Sequence, residues 1–173
     1  MSYYRACELE GSILFGKLAF HTTIDVYRVP LTRHCLEEAE HAWVWTRVIE
    51  DLGHVPVKIT QTYQTEYGKL FGMPESMLEV FCLTQVFEKR TLDQFAKHLR
   101  MKGLSPPVKQ ALRKMIDDES GHIGWIKTEL DKYAGQNLQK LKAVMDKVER
   151  VDRQVYEQIS QSDPYRSYFK AWI

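Results

Sequence analysis

The sequence predicts an all-α protein: a four-helix bundle with one long crossover between its second and third helices, then a fifth, C-terminal helix. Three observations carry that expectation. Apolar residues recur at alternating steps of three and four along five stretches, the stripe a bundled helix buries. Glycines follow where a helix would end: Gly53 after "RVIEDL", Gly103 after "FAKHLRMK" and Gly135 after "TELDKYA". One connection, "GHVPVKITQTYQTEYGKLFGM", is far longer than the others, and roughly twenty residues at about 3.3 Å each could cross the whole length of a bundle. Short turns make antiparallel neighbours, whereas this connection lets the second and third helices run parallel.

The first helix is expected over residues 3–22, with a seam of Tyr4, Glu8, Gly11, Phe15, Leu18 and Thr22. A turn at Thr23–Asp25 leads into the second, over 26–52, with Leu31, His34, Glu38, His41, Trp45, Val48 and Leu52. Pro30 fits there only if it lies in the first turn, where no intrahelical N–H is needed. The third, over 74–101, carries Leu78, Phe81, Gln85, Glu88, Leu92, Phe95 and Leu99. The fourth, over 105–133, starts with Ser105 as a capping residue before Pro106 and carries Val108, Leu112, Met115, Glu119, His122, Ile126 and Tyr133. The fifth, over 136–160, has Leu141, Met145, Val148, Val155 and Ile159 interrupted by Asp152, so it packs on the bundle or on another subunit. Residues 1–135 thus form the expected bundle. Residues 136–173 add the helix and an aromatic tail, "DPYRSYFKAWI", that reads as a docked end.

The bulk properties narrow the function classes. The chain has 173 residues, 44% of them hydrophobic and 27% charged, and a net charge of +1, without the basic excess expected for binding nucleic acid or an anionic membrane. No stretch reaches the roughly 18 apolar residues of a membrane span, and "MSYYRACELEG" lacks a signal-peptide pattern. Cys7, Cys35 and Cys82 are odd in number and well separated, which fits neither a disulfide framework nor a cysteine metal site. A cytoplasmic location is the expectation.

Against that ordinary background, each of the first four seams contains a glutamate: Glu8, Glu38, Glu88 and Glu119. A buried carboxylate without partners costs several kcal/mol, and four together would also repel one another. Glu38 and His41, like Glu119 and His122, are three residues apart, so each pair shares a face within a rise of about 4.5 Å and could grip one ion. One Glu from each of two helices with Glu-x-x-His from each of the other two is the ligand pattern of dinuclear carboxylate bundles. Glu8 and Glu38 are centred on residue 23, and Glu88 and Glu119 on 103.5, both near expected turns, so the four are expected in one layer. Two divalent ions would balance four carboxylates.

Specificity comes from position. With 6 histidines and 23 acidic residues in 173, about 0.8 acid-x-x-His pairs are expected by chance. Asp51-x-x-His54 is such a pair, at a helix end and on no seam. Around the six ligands, Glu37 and Asp118 each stand four residues before a ligand histidine and are candidates to accept its other N–H. His34, one turn before Glu38, could be an extra ligand, a hydrogen-bonding neighbour or a core histidine. Tyr4, Gln85 and Trp45 fall on seams near the site, where packing is the simpler role. His21 and Asp25 compete with Glu8 as the first helix's ligand but fit the layer less well.

These motifs, Glu8, "EEAEH", Glu88 and "DDESGH", resemble the ferritin-like di-iron superfamily, which includes rubrerythrins and bacterioferritins. "ELEGSILFGKLAFHT" followed by "LTRHCLEEAEHAWVW" is similar to bacterial ferritin-like proteins of largely unassigned activity. The resemblance implies a carboxylate-bridged centre of two iron ions, with manganese an alternative at either position. Glu38 and Glu119 would bridge, Glu8 and Glu88 would be terminal, and His41 and His122 would complete one metal each. It implies an oxidoreductase that activates O2 or peroxide and acts on a small molecule. Without a rubredoxin-like cysteine module, it would draw on an external electron donor. Two other readings stay open: a ferroxidase and iron-storage protein whose substrate is ferrous ion, and a helical interaction protein with a structural metal site. A homodimer is compatible with each.

Overall fold

Five helices and no strand make up residues 1–161, which are those that the structure, a computed structural model, describes. They are α1 (Ser2–His21), α2 (Asp25–Asp51), α3 (Tyr63–Phe71), α4 (Met77–Leu99) and α5 (Pro106–Gln161). The expected aromatic tail lies outside the described residues. Among the described residues, no helix is long and apolar enough to cross a membrane. The chain divides into two compact units.

The first unit comprises Met1–Gln64 and Ser105–Ala111 and is built on α1 packed against α2. Contacts along the pair fix its direction: Arg5 Nε donates to Thr46 Oγ1 at 2.8 Å near one end, and Ser12 Oγ donates to the Cys35 carbonyl at 2.9 Å further along. A step forward on α1 is therefore a step back on α2, and the two are antiparallel. Between them the side chains of Tyr4, Phe15, Leu31, Ala42 and Trp45 are buried. The chain leaving α2 is fastened to α1 by the Thr62 hydroxyl on the Glu10 carboxylate and by Gln64 Nε2 on the Cys7 carbonyl at 3.2 Å.

The second unit comprises Thr65–Leu104 and Leu112–Ile173, described through residue 161. Ser76 caps α4 by accepting the Glu79 N–H at 3.3 Å, and Glu79 answers by accepting the Glu75 N–H at 2.7 Å, a reciprocal cap. This moves the expected start from residue 74 to Met77. α5 is interrupted at Asn137, where φ is −156° and ψ is 86°. Before the break Phe81 meets Trp125 and Glu88 meets His122, so this leg runs antiparallel to α4. After it, Glu79 meets Lys147 and Arg90 meets Asp152, so the second leg runs parallel to α4. The fifth helix of the sequence reading is this second leg, and Asp152, which breaks its apolar seam, is the residue that the Arg90 guanidinium holds with two hydrogen bonds.

Several expectations change. Gly53 and Gly103 take the left-handed conformation that ends α2 and follows α4, with φ of 76° and 80°. Gly135 instead lies inside α5, and the turn belongs to Asn137, whose side chain accepts the Lys140 N–H at 2.9 Å and so caps the next leg. Ser105 keeps its place before α5, but among the described residues its buried hydroxyl has no hydrogen-bond partner, and Pro107 offers no N–H at the second helical position. Pro30 is not in the first turn of α2, which starts at Asp25. The Val26 carbonyl it leaves without a helical donor belongs to a residue 73% exposed, where water can serve. The long connection holds α3, a helix not expected from the sequence; of its nine residues Tyr67 is the buried one, and its hydroxyl donates to the Val148 carbonyl at 2.9 Å.

Candidate metal centre

The 3.6-residue period of α2 places His34, Glu38, His41 and Trp45 on one buried stripe, as the seam predicts. α1 brings Glu8 to the same inner face. Glu8 Oε2 lies 3.8 Å from His41 Nδ1, and His34 Nε2 lies 3.0 Å from Glu38 Oε1. The Phe15 ring stacks on the His34 imidazole at 3.7 Å between centroids, fixing the ring that reaches Glu38. Beneath them Trp45 is fully buried, its ring 5.0 Å from Tyr4.

Gly11 makes room for this arrangement. A Cβ at that position would stand 2.7 Å from Glu38 Oε2, closer than such atoms come, and a tight 3.1 Å from its Cδ. The Glu38 carboxylate therefore rests against bare α1 backbone. The antiparallel register sets Glu8 level with His41 and Gly11 level with Glu38. Glu8 and Glu38 are thus about one turn apart along the pair, not in the single layer that the midpoint at residue 23 suggests. The contacts centre one to two residues further along the chain.

In the second unit α4 carries Glu88 and the first leg of α5 carries Glu119 and His122, all buried. His122 Nδ1 lies 2.8 Å from Glu119 Oε2 and 3.8 Å from Glu88 Oε1. One turn before Glu88, Gln85 is buried, and among the described residues its Oε1 has no hydrogen-bond partner. These buried glutamates and histidines are of the kind that could hold metal ions. Carboxylate oxygen and imidazole nitrogen donors without a thiolate are compatible with several divalent ions, among them zinc, iron and manganese.

The surrounding candidates sort by burial. Glu37 is half-buried, and Asp118 pairs with Lys114 along the flank of α5. His21 and Asp25, the competitors of Glu8, are both exposed, and Asp25 pairs with Arg28 at 3.1 Å. Asp51 and His54 are exposed too, as expected of a chance pair. Cys7, next to Glu8, is held as a neutral thiol: burial pushes its pKa well up, and the Glu8 charge adds to the rise. Of the readings offered for His34, its bond to Glu38 is that of a hydrogen-bonding neighbour. The role of Gly11 escaped the sequence, although a glycine on a seam between Glu8 and Phe15 could have signalled it.

No protein-family model matches the chain, and neither a curated protein nor a solved structure matches it.

Proposed function

We propose that the chain is a di-iron oxidoreductase of ferritin-like four-helix-bundle architecture, with a dinuclear centre held by its buried glutamates and histidines. One observation carries this reading: each unit buries a Glu-x-x-His pair whose histidine Nδ1 lies 3.8 Å from a glutamate of a second helix, Glu8 with His41 and Glu88 with His122. Six ligands in two equal sets match two metal ions, and the donor chemistry fits iron, with manganese able to take the same positions.

Two iron ions held there would supply electrons in pairs to O2 or peroxide. The residues of this chain divide the remaining work. Glu8, Glu38, Glu88 and Glu119 would supply the carboxylate oxygens that hold the ions, and His41 and His122 would each add an imidazole nitrogen. His34, bonded to Glu38 and clamped by Phe15, orients that carboxylate or adds a seventh donor. An external donor returns electrons, and the oxidised substrate is a small molecule.

The test is anaerobic loading with ferrous iron followed by exposure to oxygen, read by absorption spectrum and oxygen uptake. The wild type should consume oxygen in proportion to bound iron, and Glu38→Ala with Glu119→Ala should abolish both binding and uptake. Unchanged iron-dependent uptake in the double variant overturns the proposal.

A further inference from the structure

The outer face of the α1–α2 pair is apolar where water should meet polar groups. On α2, Val29, Leu36 and Trp43 recur every seven residues and are 72%, 58% and 58% exposed. On α1, Ile13 and Phe20 repeat the same spacing at 57% and 83%. Seven residues are close to two helical turns, so each series keeps to one face. Ile13 and Phe20 flank Gly16, whose Cα faces Cys35, and Trp43 stands one turn from Thr46, which meets Arg5. Both stripes therefore border the same interhelical seam on its outer side. The register sets Ile13 level with Leu36 and Phe20 level with Val29.

Two charges on this face are seven residues apart as well. Arg33 and Glu40 are both exposed, and among the described residues neither makes an ion pair, although the neighbouring Arg28, Arg47 and Asp25 all do.

We infer that this face binds a second copy of the chain, across a two-fold axis that crosses α2 between Leu36 and Glu37. A two-fold axis relates one surface to itself, so the face must be its own complement. About this axis it is. Arg33 comes opposite Glu40 of the second copy, and the pairing occurs twice. Leu36 and Ile13, nearest the axis, meet their own counterparts, and Val29 meets Trp43. The size is adequate too: two helices about 30 Å long and together about 20 Å wide offer roughly 600 Å² before side-chain relief, near the ~800 Å² per partner of a stable interface.

Sedimentation velocity and light scattering of the full chain between about 1 and 100 µM test this. The wild type should form a dimer, and Leu36→Asp should weaken association more than tenfold. Arg33→Glu and Glu40→Arg should each weaken it severalfold, by setting like charges opposite each other, and the double variant should recover near wild-type association. The charge reversals lie on an exposed helix face and keep the test decisive if Leu36→Asp misfolds, which circular dichroism would show. A wild type that stays monomeric at 100 µM, whether or not it binds lipid vesicles or another protein, overturns the inference. So does an assembly that these variants leave unchanged, or a double variant no better than the single ones.

Discussion

Gly11 of α1 and Glu38 of α2 are in a contact that a single methyl group would break. The Cβ of any other residue at position 11 would stand 2.7 Å from Glu38 Oε2, so the place of a charged side chain is set by the lack of a side chain opposite it. Packing and site chemistry are joined at this point.

Gly11→Ala therefore separates the two. Alanine favours a helix interior by about 1 kcal/mol over glycine, while crowding a packed contact costs about 1–3 kcal/mol, so stability should change little. The displaced carboxylate should weaken iron binding at least tenfold. Thermal melts of the metal-free protein and an equilibrium iron titration are the measurements. Iron binding as tight as that of the wild type would mean that the position of Glu38 does not matter.

His34 links the aromatic layer to the same carboxylate. Replacing it with phenylalanine keeps the stack on Phe15 but removes the nitrogen 3.0 Å from Glu38. Loss of a hydrogen-bonding partner to a metal-bound carboxylate typically lowers affinity about 10–100-fold, and that fall is expected in the same titration with the fold intact by circular dichroism.

Arg90 and Asp152 test how the last leg of α5 is held on α4. Asp152 is buried, and Arg90 grips both its oxygens and stacks on Tyr156 at 4.1 Å. Removing one partner of a buried pair costs about 3–5 kcal/mol, and less here because Arg90 is 23% exposed. Asp152→Ala should lower unfolding stability by ~2–3 kcal/mol in urea, whereas Arg90→Met with Asp152→Leu should recover much of that loss.

Cys82 gives a pH dependence. Burial, reinforced by the Glu79 charge, pushes its thiol from 9.0 up to about 12. A group raised in the folded state contributes stability that is complete below its unfolded pKa and is lost as pH rises through the folded value. Stability should therefore fall between pH 9 and 12, and Cys82→Ala should fall less steeply. At pH 8 the native thiol should resist alkylating reagents that label it in urea.

The seams were legible because burial repeats with the helix. His34, Glu38, His41, Glu88, Glu119 and His122 alternate by three and four among apolar residues, and each is buried. What was not legible depends on contacts between segments. α3 has nine residues and one buried side chain, too little for a periodic signal, although Gly72 after "KLF" marks its end with a φ of 83°. Glycine is the commoner helix terminator, so the sequence alone points to Gly135 for the break in α5. Asn137 took it because its side chain could cap the leg that follows. The midpoint of Glu8 and Glu38 failed because spacing alone does not fix the register of two helices, which here follows Ser12 on Cys35 and the bare backbone at Gly11. The apolar outer face was hidden in the same way, since Val29, Leu36 and Trp43 are a helix stripe whether or not something covers them.

The central claim is that these carboxylates and imidazoles hold a pair of metal ions, and equilibrium dialysis against ferrous iron without oxygen counts them directly. Two ions per chain are predicted for the wild type, and almost none after Glu38→Ala with Glu119→Ala. Fewer than one ion per wild-type chain, or two ions retained by the double variant, would contradict it.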